Sequence, residues 1–299
     1  MPISLSEHAI SSELITNFIE LKSKPFTMSK NNCNPFFLFC IIVNFTIPLA
    51  GNAQSLEEIK IEKDIAFGET INFKGEKETL LLDIYSPAKA ANKKQPVIMW
   101  MHGGGFRYGN DKSQKYIVAM SERFAKRGYV CLSINYRVRE NPRDDKNGTI
   151  SDALEDAMKG LNWLRGNAKK LGIDKSKIII GGGSAGGILG NSFCYREGST
   201  NEKWDKSGIV AFVNLWGSPN ESWGNYEIDK NDPPMIIVHG TEDPLVPYSN
   251  SVEIVSKLKS AGIKYELIAI EGAGHTPANH MDDFEVRIAN FLSTILSEK

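Results

Sequence analysis

One ten-residue stretch constrains this chain more than any other: Ile178-Ile179-Ile180-Gly181-Gly182-Gly183-Ser184-Ala185-Gly186-Gly187. Three β-branched residues predict a buried strand, a run of glycine breaks it, and Ile188, Leu189 and Phe193 resume at helical spacing. Gly182-Gly183-Ser184-Ala185-Gly186 fits the pattern G-x-S-x-G, a sharp strand-to-helix turn that presents a serine oxygen above a sheet. Such a turn demands unusual backbone angles and leaves little room for Cβ atoms. The helix that starts there aims free N–H groups and its positive dipole end at the same point. With 26 glycines in 299 residues, chance would place this pattern around roughly 0.2 of the serines in such a chain, so its context has to decide.

That context is a succession of strands and helices. Short alternating runs between Ile59 and Tyr85 predict an antiparallel edge. Pro96–Met101 then reads as a buried strand, Tyr116–Arg127 as a helix, Tyr129–Tyr136 as a strand and Ser151–Leu171 as a long amphipathic helix. After the central turn come strands at Ile209–Trp216, Met235–His239 and Tyr265–Ile270. Helices are expected at Asn250–Ala261 and at the C-terminus, where Phe284, Ile288, Phe291 and Ile295 form a stripe. Alternation of this kind predicts an α/β fold, a mostly parallel eight-stranded sheet with helices on both faces.

Composition narrows the function classes. Lys plus Arg number 35 and Asp plus Glu 36, a balance that gives no reason to expect a nucleic-acid or membrane-surface partner. Four cysteines without C-x-x-C spacing suggest neither a disulfide scaffold nor a metal, and Cys131 and Cys194 read as small buried hydrophobes. Met28–Ala53, with its polar start, apolar run and small residues near Ala53, reads as a cleaved signal peptide. The sequence thus predicts an N-terminal extension over 1–53, a catalytic domain over 54–299 beginning near Gln54, no stable membrane span, and a secreted or periplasmic protein.

Serine attacks poorly at neutral pH unless a base takes its proton and a third group orients the base. His239-Gly240-Thr241-Glu242-Asp243 follows one late strand and Gly272-Ala273-Gly274-His275 follows the last. The order Ser184, Asp243, His275 is that of a nucleophile–acid–base triad at the carboxyl ends of parallel strands. Glu242 competes with Asp243, and His280 with His275. His102-Gly103-Gly104-Gly105 ends the strand expected beside the serine strand, where bare backbone can turn N–H groups toward a developing oxyanion together with the N–H of Ala185. Asp152, Glu155 and Asp156 are expected in the first turn of a helix, with no chemistry.

With these parts in place, the chain resembles the α/β-hydrolase esterases that carry an HGGG motif, the group around hormone-sensitive lipase and bacterial acetyl esterases. The resemblance rests on His102–Phe106, Ile134-Asn135-Tyr136-Arg137, Asp174, Gly182–Gly187, His239–Asp243 and Gly274-His275, and spans roughly residues 60–297. It implies Ser184 as nucleophile, His275 as general base, Asp243 as orienting acid, and Gly103, Gly104 and Ala185 as oxyanion donors, with no cofactor and no metal. Only a short connection joins the strands on either side of residues 217–233, too short for the helical cap of the lipases. An open site resembling capless acetyl and feruloyl esterases is therefore expected, acting on a small or polysaccharide-linked acyl ester. Trp216 and Trp223 are candidates to contact substrate, or simply to pack. A peptidase or amidase on the same fold, a silent binding module and a long-chain lipase are the alternatives the sequence leaves standing. It does not give the oligomeric state.

Overall fold

Eight strands build the sheet: β1 (Ile59–Ile71), β2 (Lys77–Pro87), β3 (Gln95–Met101), β4 (Val130–Ile134), β5 (Ile173–Gly183), β6 (Ile209–Leu215), β7 (Met235–Gly240) and β8 (Tyr265–Ile270). The computed structural model describes residues 58–89, 93–195, 204–217 and 227–298. The expected signal segment and Trp223 lie outside them. The described part falls within one compact unit, Ala53–Lys299. Strand order is β1-β2-β4-β3-β5-β6-β7-β8. β1 and β2 pair antiparallel, as do β2 and β4, whereas all later pairs are parallel. The antiparallel edge and the parallel remainder are those the sequence predicts, and β3 does lie beside β5.

Side chains along β3 alternate between two cores, as the two-residue period of a strand requires. Val97, Met99 and Met101 join a cluster with Leu154 and Leu161 of α2 (Lys146–Gly166), Leu189 of α4 (Ala185–Cys194) and Leu258 of α5 (Tyr248–Ser260). Ile98 and Trp100 point the other way, into a cluster with Phe124 of α1 (Lys115–Lys126) and Phe284 and Ile288 of α6 (Met281–Ser297). Covering both faces is what lets β5 read as an unbroken apolar run. Cys131 and Cys194 are buried free thiols, and burial pushes both well above the usual thiol range.

The long helix differs from its expected bounds. α2 begins at Lys146, where the Asp145 carboxylate accepts the Gly148 N–H at 2.9 Å, and ends at Gly166. A separate short turn, α3 (Ala168–Leu171), follows. Asp152, Glu155 and Asp156 therefore lie beyond the first turn, and their charges answer arginine instead of the helix dipole. Arg137 bonds to all three, and Asp152 also holds Arg139 at 2.7 Å. Asp156 is fully buried, where an unpaired carboxylate would be costly. This network fixes the segment after β4, which borders the site described next. Among the described residues no helix is long and apolar enough to cross a membrane.

Candidate active site

The tip of β5 turns into α4 through Ser184, whose backbone stands at φ 52°, ψ −117°. The strained angle is carried by the serine itself; Gly182, Gly183, Gly186 and Gly187 around it have ordinary φ. What those glycines supply is space. A Cβ on Gly186 would overlap the carbonyl oxygen of Met101, and one on Gly182 that of Gly186. Strained backbone of this kind persists only where the surroundings over-determine it. Phe106, Trp216 and Thr276 also take positive φ, and all three line the same cavity as Ser184.

Loops after β7 and β8 bring the other two groups together. His275 Nε2 lies 3.0 Å from Ser184 Oγ, and its Nδ1 lies 2.7 Å from Asp243 Oδ2. With the proton on Nδ1, the ring donates to Asp243 and can accept from the serine hydroxyl, the orientation a general base requires. Asp243 Oδ1 accepts the backbone N–H groups of Leu245 (2.8 Å) and Val246 (2.9 Å). Burial works against this carboxylate's charge, yet the Val246 N–H, His275 and the Leu245 N–H outweigh it and hold Asp243 below the usual carboxylate range. Its rival Glu242 is exposed, and so is His280 at the start of α6.

A further histidine braces the acid. His239 Nε2 donates to the Val246 carbonyl at 2.9 Å and lies 3.2 Å from Asp243 Oδ2, while Nδ1 accepts from Ser251 Oγ at 2.7 Å. Burial lowers its pKa. Sequence reading takes His239 for a plain strand-end residue and misses this role, because Val246 and Ser251 meet it only through the fold.

The glycine loop after β3 is held from three sides. Tyr136 Oη donates to the His102 carbonyl at 2.6 Å and its ring stacks on His102, centroids 4.2 Å apart. His102 Nδ1 donates to the Gly103 carbonyl at 2.8 Å. Gln114 Oε1 accepts the Gly103 N–H at 2.8 Å, and Gln114 Nε2 passes on to Asn110, whose Nδ2 in turn bonds the carbonyls of Gly104 and Arg107. This corrects one expected donor. The Gly103 N–H is taken by Gln114, and Gly103 serves instead by its lack of a side chain: a Cβ there would press on Tyr116, Gly183 and Ser184. The N–H of Gly104 has no hydrogen-bond partner among the described residues. Neither has that of Ala185, the first residue of α4, whose position leaves it without an intrahelical acceptor.

A cavity of about 450 Å³ opens over these groups, within the usual range for a small-molecule site. Ile188, Trp216, Leu245 and Val246 give it an apolar side, and Arg107, Pro142 and Arg143 border it elsewhere. Trp216 borders the cavity but is fully buried, edge-on to Tyr116 and Phe284. Its role is to pack a wall, and it has no open face on which a sugar ring could stack. No cluster of His, Cys, Asp or Glu suited to a metal occurs among the described residues.

Residues 82–210 match the family model described as BD-FAE, and residues 204–299 match that of the prolyl oligopeptidase family. The chain is 25% identical over 244 residues to esterase LipC of Mycobacterium tuberculosis, covering 67% of this chain and 58% of that one. It is likewise 25% identical over 237 residues to the isoprenylcysteine alpha-carbonyl methylesterase of Arabidopsis thaliana, covering 65% and 53%. The chain thus spans little more than half the length of these curated relatives. Among solved structures it is similar to Thermogutta terrifontis esterase 2 phosphonylated by cyclosarin, at TM-score 0.63 and 26% identity, covering 81% of this chain and 95% of that one. The propionate-bound form of that esterase matches at TM-score 0.62 and 27% identity, covering 81% and 96%.

Proposed function

We propose that this chain, an α/β-hydrolase by its fold and by its likeness to esterases of that fold, is a serine carboxylic-ester hydrolase. One observation carries the reading: the unbroken relay from Ser184 Oγ through His275 to Asp243, at 3.0 and 2.7 Å, on a strained strand-to-helix turn. In this reading Ser184 Oγ attacks the ester carbonyl while His275 Nε2 takes its proton. The oxygen of the tetrahedral intermediate is held by the N–H groups of Gly104 and Ala185. His275 then hands its proton to the departing alcohol. Water, activated by the same base, hydrolyses the acyl-enzyme. Asp243 stays ionised and keeps the imidazole in the tautomer that can accept from serine. The residues present call for no cofactor.

A short acyl group suits the site. The connection between β6 and β7 is too brief for a cap domain, and esterase 2 of Thermogutta terrifontis binds propionate and butyrate. Acetyl or feruloyl esters of plant polysaccharide are the proposed natural class, handled outside the cytoplasm after removal of Met28–Ala53. The match of residues 204–299 to the prolyl oligopeptidase family favours one second reading, amide hydrolysis by the same triad.

The test is turnover of 4-nitrophenyl acetate, butyrate and palmitate, methyl ferulate, acetylated xylan and a matched anilide, with Ser184→Ala as control. Ser184-dependent hydrolysis of the short esters, and little of palmitate, is the expected result. Faster turnover of the anilide than of its matched ester would replace the reading with a peptidase, and turnover of none would remove it.

A further inference from the structure

The arginines of this chain divide sharply by partner. Of the eight in the described residues, six hold a carboxylate: Arg123, Arg127, Arg137, Arg139, Arg165 and Arg287. The two without one among the described residues, Arg107 and Arg143, are the two that line the cavity over Ser184. Both are exposed. Among the described residues no Asp or Glu shares the lining, although the chain carries slightly more acid than base. An arginine usually finds a carboxylate because its planar fork matches one in two hydrogen bonds. Here two arginines line the substrate space with no carboxylate partner among the described residues.

Their backbones are anchored. The Arg107 N–H donates to the Gly104 carbonyl at 3.1 Å, and the flanking residues pair with Arg139, which Asp145 and Asp152 hold in turn. Arg143 lies in the turn closed by the Asp144 N–H on the Asn141 carbonyl, just ahead of the Asp145 cap of α2. Sheet order places both on one flank of the serine. Arg107 follows β3 and Arg143 follows β4, on one side of β5, while Trp216, Leu245 and Val246 follow β6 and β7 on the other. An ester seated on Ser184 would meet apolar side chains along one arm and, along the other, two arginines that no described carboxylate holds.

We propose that the natural ester carries a carboxylate on the arm that lies toward β3 and β4, and that Arg107 and Arg143 bind it. This deepens the esterase reading and rests on it. The test compares kcat/KM within two size-matched pairs that differ in charge: mono-4-nitrophenyl glutarate against 4-nitrophenyl valerate, and 4-acetoxybenzoate against 4-methylphenyl acetate. The first pair carries the charge on the acyl arm and the second on the leaving arm. In one pair the ratio of anionic to neutral substrate should fall roughly three- to tenfold in Arg107→Gln and again in Arg143→Gln, as loss of a charge-assisted contact at a half-open site implies. The change should appear mainly in KM. Raising salt from about 20 mM to about 0.5 M should shrink the wild-type ratio in the same pair, because screening weakens an exposed ion pair. Ratios unchanged by both substitutions in both pairs would overturn the proposal while Ser184-dependent hydrolysis of valerate left the esterase reading standing. Failure to hydrolyse any of the four would overturn both.

Discussion

His102 should make this protein acid-labile in a way that a single substitution removes. The ring is fully buried; its Nδ1–H is committed to the Gly103 carbonyl, and its Nε2 has no hydrogen-bond partner among the described residues. A proton added to Nε2 would be a buried charge without an acceptor. Burial accordingly pushes the pKa down to about 4, only partly offset by the Gly103 carbonyl and the charge of Asp111. The unfolded chain binds that proton near pH 6.5, so the stability at stake is fully present above about 6.5 and is lost as pH falls toward 4. Over the whole window it amounts to about 3 kcal/mol, and most of it is gone by pH 4.5. His239 and Asp243, both lowered, also favour higher pH, so the wild-type slope alone does not isolate His102. His102→Asn does. Asparagine can still donate to Gly103 but does not titrate, and it forfeits the stack on Tyr136, which lowers stability at every pH. Urea unfolding followed by tryptophan fluorescence at pH 7.5 and 4.5 should show the variant losing about 2 to 3 kcal/mol less than wild type between the two. Equal losses in both proteins would refute the argument that a neutral His102 underpins the glycine loop.

Three further outcomes follow from the same geometry. Ser184→Ala should lower kcat on 4-nitrophenyl acetate by about 10⁶ and Asp243→Asn by about 10⁴, as for members of a relay that act as a unit; near-normal turnover by Ser184→Ala would sink the assignment. Because Ser184 holds a positive φ, Ser184→Gly should be more stable than Ser184→Ala by about 1 kcal/mol, read from urea midpoints with both variants inactive. Lys112 lies between buried Asp83 (2.7 Å) and Asp64 (2.8 Å), so Lys112→Met should cost about 3 kcal/mol by stranding the Asp83 charge. Adding Asp83→Leu should restore much of that stability, and a double variant no better than the single one would contradict the reading.

Much of the site is legible in the sequence because its chemistry restricts residue type at fixed points of a βα repeat. A hydroxyl between glycines, an Asp and a His at later strand ends, and a glycine run after the neighbouring strand are local signals, and the fold brings Ser184, Asp243 and His275 together as their order implies. What sequence could not show is reach across the fold. Gln114 occupies the Gly103 N–H from eleven residues away, and nothing in a glycine run says which N–H will be spoken for. Tyr136 stood within a motif of the resemblance, yet its bond to the His102 carbonyl needed the three-dimensional register of β3 and β4. Sequence reading makes the acidic cluster at 152–156 a dipole complement because it starts the helix at Ser151; α2 begins five residues earlier, at Lys146, with Asp145 as its cap. Trp216 read equally as a sugar platform or a packed wall, and only burial separates the two.

The most direct test of the central claim is covalent trapping. The protein would be treated with a fluorophosphonate, its intact mass and peptide map recorded, and residual 4-nitrophenyl acetate hydrolysis followed in parallel. One adduct per chain is expected, on the peptide containing Ser184, growing in step with the loss of activity and absent from Ser184→Ala. An adduct elsewhere, or full ester hydrolysis with Ser184 unmodified, would contradict it.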